Sequence, residues 1–272
     1  MTNKRILVTG GAGSIGGALV RRLAPDNKIF VLDNNESETW SLCQELSERG
    51  YWVKPRIGDI RNQGTVTDLF EDFKPQIIFH AAAYKHVAPM ETYPLEAIET
   101  NVLGTHNILH EARRWESTEK LVFISTDKAV NSTSVMGATK RLGEIMVRNA
   151  GFTVVRFGNV LGSRGSVFPI WQRQIKQGQP LTITDPDATR YTITLDEAVL
   201  LVLEAAALKS ATYILDMGKP KRLGDLLDDV LRENKWATVK LIGLRPGEAK
   251  HERLMTEEEE KQAKKKGELY VL

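Results

Sequence analysis

The sequence has one cysteine, Cys43, among 272 residues, so no internal disulfide can form and a reducing, cytoplasmic setting is expected. Cys43 sits in the helical pattern SETWSLCQELSERG and reads as a packing residue, not a nucleophile. Long apolar runs are also missing: none approaches the ~18 residues that cross a bilayer. The greasiest segment, AVLLVLEAAAL at Ala198–Leu208, is interrupted by Glu204 and reads as a buried helix. An excess of charge of either sign is missing too, with 37 Lys and Arg against 35 Asp and Glu. A net charge of +2 gives no support for a nucleic-acid or membrane-surface partner. No leader, internal repeat or low-complexity tract is read, and no metal site is expected.

What is present is an alternation. The runs RILVTG, KIFVLD, WVKPRIGD, QIIFHAA, KLVFIST and FTVVRFG read as strands, separated by helical patterns such as SIGGALVRRLA and GTVTDLFEDF. This implies an α/β fold with a doubly wound parallel sheet, helices on both faces, and ligands beyond the carboxyl ends of the strands. After Gly158 the rhythm breaks into turns and short elements. Thr194 and Glu197 have the spacing of a capping box for the next helix. The tail MTEEEEKQAKKKGELYVL reads as a solvated helix followed by a last strand.

Gly10, Gly13 and Gly16 follow the first strand and open a helix, and Asp33 ends the next strand about 20 residues on, the spacing of a dinucleotide fingerprint. Glycines let the backbone approach a pyrophosphate, and the helix start, with Ser14 and Ile15, meets its charge. Asp33 suits the adenosine ribose hydroxyls and repels a 2′-phosphate, and its neighbours Asn34, Asn35 and Glu36 include no cation, so NAD is favoured over NADP. Asp59 and Ile60, in GDIRN, are candidates for the adenine edge, with helix capping the alternative for Asp59. We therefore expect a Rossmann-type NAD-binding domain over 1–158, with 189–216 returning to it, and a smaller C-terminal substrate domain from 159–188 and 217–272.

The glycine spacing, GDIRN, HAAA and the Lys140 segment resemble the extended short-chain dehydrogenase/reductases. More narrowly, HAAAYKHVAPMETYPLEAIETNVLGT, STDKAVNSTSVMGATK, RFGNVLGSRGSV and LRPGE resemble the nucleotide-sugar 4,6-dehydratases of polysaccharide biosynthesis, especially the UDP-N-acetylglucosamine branch. The resemblance aligns the chain with the catalytic part of relatives, many of which carry an N-terminal membrane region and a further domain. It implies an NAD-dependent hydro-lyase that turns a UDP-sugar into a 4-keto-6-deoxy sugar nucleotide for glycan synthesis. It further implies that Ala81, Ala82 and Ala83 line the dinucleotide, and that a homodimer or higher oligomer pairs through helices around Leu95–Trp115 and Ala138–Ala150.

In that superfamily a Tyr-x-x-x-Lys pair on one helix face removes a hydroxyl proton as the sugar is oxidised. Lys140 fills the lysine position, but Met136 stands where the tyrosine belongs, and a thioether moves no proton. An inactive binding fold, another base, or a branch that dispenses with the tyrosine would each account for this. The resemblance favours the last, because a subset of these dehydratases carries methionine within MGATK. A 4,6-dehydratase needs a base at C5 and an acid at the departing C6 hydroxyl. Asp127 is the candidate acid and Lys128 the candidate base, the latter partly neutral through desolvation and the nearby Lys140. The alternative is a salt bridge that merely holds the loop. The C4 hydroxyl proton is left to Thr126, Asp127 or an ordered water, with Tyr84 a further candidate base.

On the substrate side the resemblance assigns Lys85 to the sugar, Asn159 to the diphosphate, and Arg245 and Glu248 to the uridine. Arg164 and Arg190, in turn-rich segments, are read as phosphate ligands. The rival functions are a UDP-sugar 4-epimerase and a catalytically inactive nucleotide-binding protein.

Overall fold

A computed structural model describes every residue from Met1 to Leu272. Six strands, β1 (Arg5–Thr9), β2 (Lys28–Asp33), β3 (Val53–Ile57), β4 (Ile77–His80), β5 (Lys120–Ile124) and β6 (Thr153–Arg156), run parallel. The sheet has nine strands, ordered from one edge β3-β2-β1-β4-β5-β6, then Thr212–Leu215, Leu269–Val271 and Lys264–Lys266. The central strands are buried along nearly their whole length because helices cover both faces, which is why they are largely apolar runs. β3 is the edge, where its Pro55 is tolerated.

The helices α1 (Ser14–Leu23) and α2 (Glu36–Glu48), with Leu195–Ala207, pack one face through Leu19, Leu42, Leu46 and Val202. The helix α3 (Gln63–Phe73), with Thr105–Arg114 and Val135–Asn149, packs the other through Phe70, Ile108 and Val147. Side-chain caps start these helices: Asn35 Oδ1 accepts from Glu38 N, Asn62 Oδ1 from Thr65 N, and Thr194 forms the full capping box with Glu197. Cys43 lies in the first core, where burial pushes its thiol up to about 11, as befits a packing residue. No helix is long and apolar enough to cross a membrane.

A third, smaller core gathers Trp171, Leu181, Ile183, Ala188, Leu223, Leu226 and Leu227. The expected boundaries need correction at the C-terminus. Residues 264–271, assigned from sequence to the smaller domain, form a hairpin on the main sheet, antiparallel to Thr212–Leu215. Thr212–Leu215 would otherwise be an open edge, and the fully buried Leu269 closes it. At the other end of the same lobe, Asn159–Val160 pairs with Thr192–Ile193, and both Val160 and Ile193 join the main core.

Candidate functional site

The glycine-rich turn is shaped by close approach. Gly10 adopts φ +65°, and a Cβ there would stand 2.6 Å from Ala82 N. The turn therefore abuts the half-buried Ala81–Ala83 segment at the end of β4. Gly13 starts α1 with no side-chain cap, so the first amides of the helix, at Ser14, Ile15 and Gly16, have no acceptor within the protein and can serve an anion. Asp33 Oδ2 accepts from Ala12 N and Oδ1 from Asn35 N, both at 3.0 Å, which ties the turn to the end of β2. A cavity of about 890 Å³ opens beside this turn, lined by Ala12, Gly13, Ser14, Glu38, Gly162 and Arg164 among others. The cradle fits a dinucleotide: a backbone that only glycine permits, uncapped helix amides, and a carboxylate at the next strand end.

Two adenine-edge candidates are otherwise engaged. Asp59 takes Arg61 N and Nε at 2.9 Å each. Ile60 is buried in the core beneath Gly104, so its side chain does not face the cavity. Asn34 is exposed beside Asp33.

At the end of β5 the chain enters a one-turn helix, Asp127–Ala129, capped by Thr126. Thr126 Oγ1 donates to Asp127 Oδ1 at 2.9 Å. Lys128 Nζ reaches Asp127 Oδ1 at 3.1 Å, Asn159 Oδ1 at 2.8 Å and Glu252 Oε1 at 3.0 Å. The glycine of MGATK explains how this turn is held: a Cβ on Gly137 would collide with the Lys128 carbonyl oxygen. Burial works against the Lys128 ammonium, but Asp127 and Glu252 outweigh it and hold the amine above its usual range. The expectation of a partly neutral Lys128 is thus corrected. Asp127 is pushed up by burial and pulled below its usual range by Lys128 and its hydrogen bonds. Glu252 was not singled out from the sequence; it stands 124 residues from Lys128, and HERL has no recognisable motif spacing.

Met136 does not enter this cluster. It is 2% exposed and packs with Met90 and Ala97, flanked by Tyr84, so its candidacy as a catalytic residue gives way to a packing role. Lys140, one turn on, donates to the Ile124 carbonyl at 2.6 Å and lies 3.9 Å from the Phe123 ring centroid. Burial pulls it down to about 7, against the opposing charge of Glu144. Asn101, also overlooked in the sequence, lies in a π-helical turn and bridges Tyr84 N, Tyr84 O and Thr139 Oγ1.

The substrate-side candidates divide. Asn159 is in the Lys128 cluster, its amide oxygen committed to that amine. Arg164 lies on the cofactor side: its N–H donates to Ser14 Oγ, its guanidinium pairs with Glu38, and its carbonyl accepts from Lys85 Nζ at 2.7 Å. Lys85 and Arg164 thus strap the 162–166 loop across the glycine turn. Arg190 is buried and engaged by the protein, donating to Thr189 O, Lys250 O and Glu248, with Glu252 Oε1 3.5 Å from its Nε. It cross-links the LRPGE segment, which corrects its reading as a phosphate ligand. Glu248 accepts from Arg190 and Arg245 N, while Arg245 stays exposed.

A family model described as polysaccharide biosynthesis protein matches residues 6–272. The capsular polysaccharide biosynthesis protein CapD of Staphylococcus aureus is 43% identical over 95% of this chain, which spans 46% of that relative's length. A UDP-glucose 4-epimerase of Rickettsia bellii is 36% identical over 98% of the chain and 82% of the relative. The X-ray structure of Pen from Bacillus thuringiensis superposes with a TM-score of 0.94 at 35% identity, covering 99% of this chain and 88% of that one.

Proposed function

The chain belongs to the polysaccharide biosynthesis protein family, in the extended short-chain dehydrogenase/reductase group, and on that premise we propose that it is a UDP-sugar 4,6-dehydratase. UDP-N-acetylglucosamine is the substrate of this reading, and a 4-keto-6-deoxy sugar nucleotide the product. The observation that carries it is the Thr126-Asp127-Lys128 cluster at the end of β5, built around the buried Asp127, with Met136 turned into packing. An epimerase of this fold depends on a phenol there and has no need of a second acid-base pair.

Asp33 beside Asn34, Asn35 and Glu36 supports NAD over NADP, since no cation awaits a 2′-phosphate. NAD bound in the cradle supplies the oxidation at C4 and the later reduction at C6. Thr126 Oγ1, already donating to Asp127, passes the C4 hydroxyl proton to that carboxylate. Asp127 then protonates the departing C6 hydroxyl, and Lys128 takes the C5 proton that the new ketone has acidified. Lys140 holds the ribose. Exposed Leu95, Ile98, Leu103, Leu142 and Ile145 on the expected two-helix face support a homodimer, and the single buried thiol supports a cytoplasmic setting.

Incubation with UDP-N-acetylglucosamine in heavy water, followed by mass and C5 deuterium content, tests this. Loss of one water with deuterium at C5 is expected, and Lys128→Ala abolishes it while NAD still binds. Unchanged mass with an inverted C4 hydroxyl supports the epimerase reading that the Rickettsia relative's name favours. No conversion of any UDP-hexose supports the inactive binding protein.

A further inference from the structure

Lys128 has to act as a base, yet two carboxylates hold it as an ammonium at 3.1 and 3.0 Å. Its proton needs a destination before the amine can reach C5. Glu252 is buried, and its polar partners are Lys128, Asp127 and Arg190. Asp127 Oδ2 is buried without a donor, and the Asp127 and Glu252 carboxylates share the Lys128 amine. Two carboxylates that share one ammonium repel each other, which raises the affinity of one of them for a proton. The segment that carries Glu252 is fixed: Arg190 binds the carbonyl of Lys250, and Arg156 binds the carbonyl of Leu254 at 2.9 Å.

We propose that Glu252 is the proton-parking partner of Lys128: a positioning residue that accepts the ammonium proton across 3.0 Å and so releases the amine for C5. The assignment rests on the dehydratase reading. The protons balance. Oxidation at C4 sends the hydroxyl proton through Thr126 to Asp127, which removes one of the two anions that hold Lys128 charged. The ammonium proton then moves to Glu252. The amine takes the C5 proton, Asp127 gives its proton to the C6 hydroxyl, and water leaves. Lys128 returns a proton to C5 as C6 is reduced, then recovers its own from Glu252. Burial pushes the Glu252 carboxyl up to about 7, the Asp127 charge adding to it against Lys128 and Arg190, so the group exchanges protons near neutrality. The charged groups around the cluster are Asp127, Lys128 and Arg190, with Lys85 and Tyr191 beyond them.

The test compares wild type with Glu252→Gln and Glu252→Asp across pH. A receptive Glu252 must be ionised, so wild-type dehydration rises with pH through about 7. Glu252→Gln is expected to lose this limb and about 10²-fold in water loss, the scale of one acid-base group. It still reduces NAD at C4, so reduced cofactor accumulates and C5 takes up no deuterium. Glu252→Asp keeps the limb. A Glu252→Gln enzyme with the wild-type pH profile and C5 exchange overturns the assignment. If wild type dehydrates no UDP-hexose, the functional reading fails separately. Infrared difference spectra then decide the proton sharing: a carboxylic-acid band that titrates near neutrality and is absent from Glu252→Gln upholds it, and no such band overturns it.

Discussion

Arg156→Met removes the cation at the centre of a buried network. Arg156 is fully buried and donates to both oxygens of Glu144 at 2.9 and 2.8 Å, to Glu259 at 2.6 Å and to the Leu254 carbonyl. Glu144 also accepts from Ser125, the residue before Thr126, so the network braces the end of β5 and the C-terminal segment together. Breaking one partner of a buried pair costs about 3–5 kcal/mol, because the other charge is left uncompensated. Arg141, 2.9 Å from Glu144, remains as a partial partner and puts the loss near about 3 kcal/mol. For a chain of this size that lowers the melting temperature by roughly 6–12 °C.

The double variant Arg156→Met with Glu144→Met has no stranded Glu144 charge and should recover to within about 1 kcal/mol of wild type. Urea titrations of the four proteins in the cycle measure this. A single-variant loss under about 1 kcal/mol, or a double variant no better than the single, refutes the reasoning. The pH dependence has a definite sign. Burial pushes Glu144 up, but its bonds to Arg156 pull it below the usual range. A depressed carboxylate adds stability that is full above the unfolded value of about 4.3 and is lost as pH falls below it. Arg156→Met should flatten that slope.

Other predictions follow from the same site. Lys140 is depressed to about 7 by burial, so the unfolded chain binds its proton more tightly and the stability of the cofactor-free protein rises as pH climbs from about 7 towards 10. Lys140→Met should remove that slope and raise the melting temperature at pH 6 while weakening NAD binding; a lower melting temperature contradicts the account. Met136→Leu conserves volume in the cluster with Met90 and Ala97, so stability should change by less than about 1.5 kcal/mol and turnover should persist. Loss of turnover in that variant would restore Met136 to the chemistry.

Much of this was legible in the sequence, for reasons that are local. Buried parallel strands have to be apolar runs, so β1, β2, β4, β5 and β6 announce themselves, and the Gly10-Gly13-Gly16 turn follows β1 at a spacing set by backbone approach. The caps at Thr194 and Asn62 lie within three residues of the amides they serve. The adjacency of Asp127 and Lys128 was visible, and so was the absence of a phenol at Met136. The charge on Lys128 was not, because it depends on Glu252, a residue 124 positions away that only the folding back of the C-terminal segment delivers. Arg190 looked like a free phosphate ligand until the fold surrounded it with the carbonyls of Thr189 and Lys250 and the carboxylate of Glu248. The last hairpin read as part of a small domain because its two three-residue strands, KKK and LYV, carry no sign of which edge they cover. Sequence by itself determined the sheet, the glycine turn and the adjacency of Asp127 and Lys128, since these arise from neighbours along the chain. Tertiary structure decided protonation and the roles of the arginines, since burial and charge depend on groups that meet only across the fold.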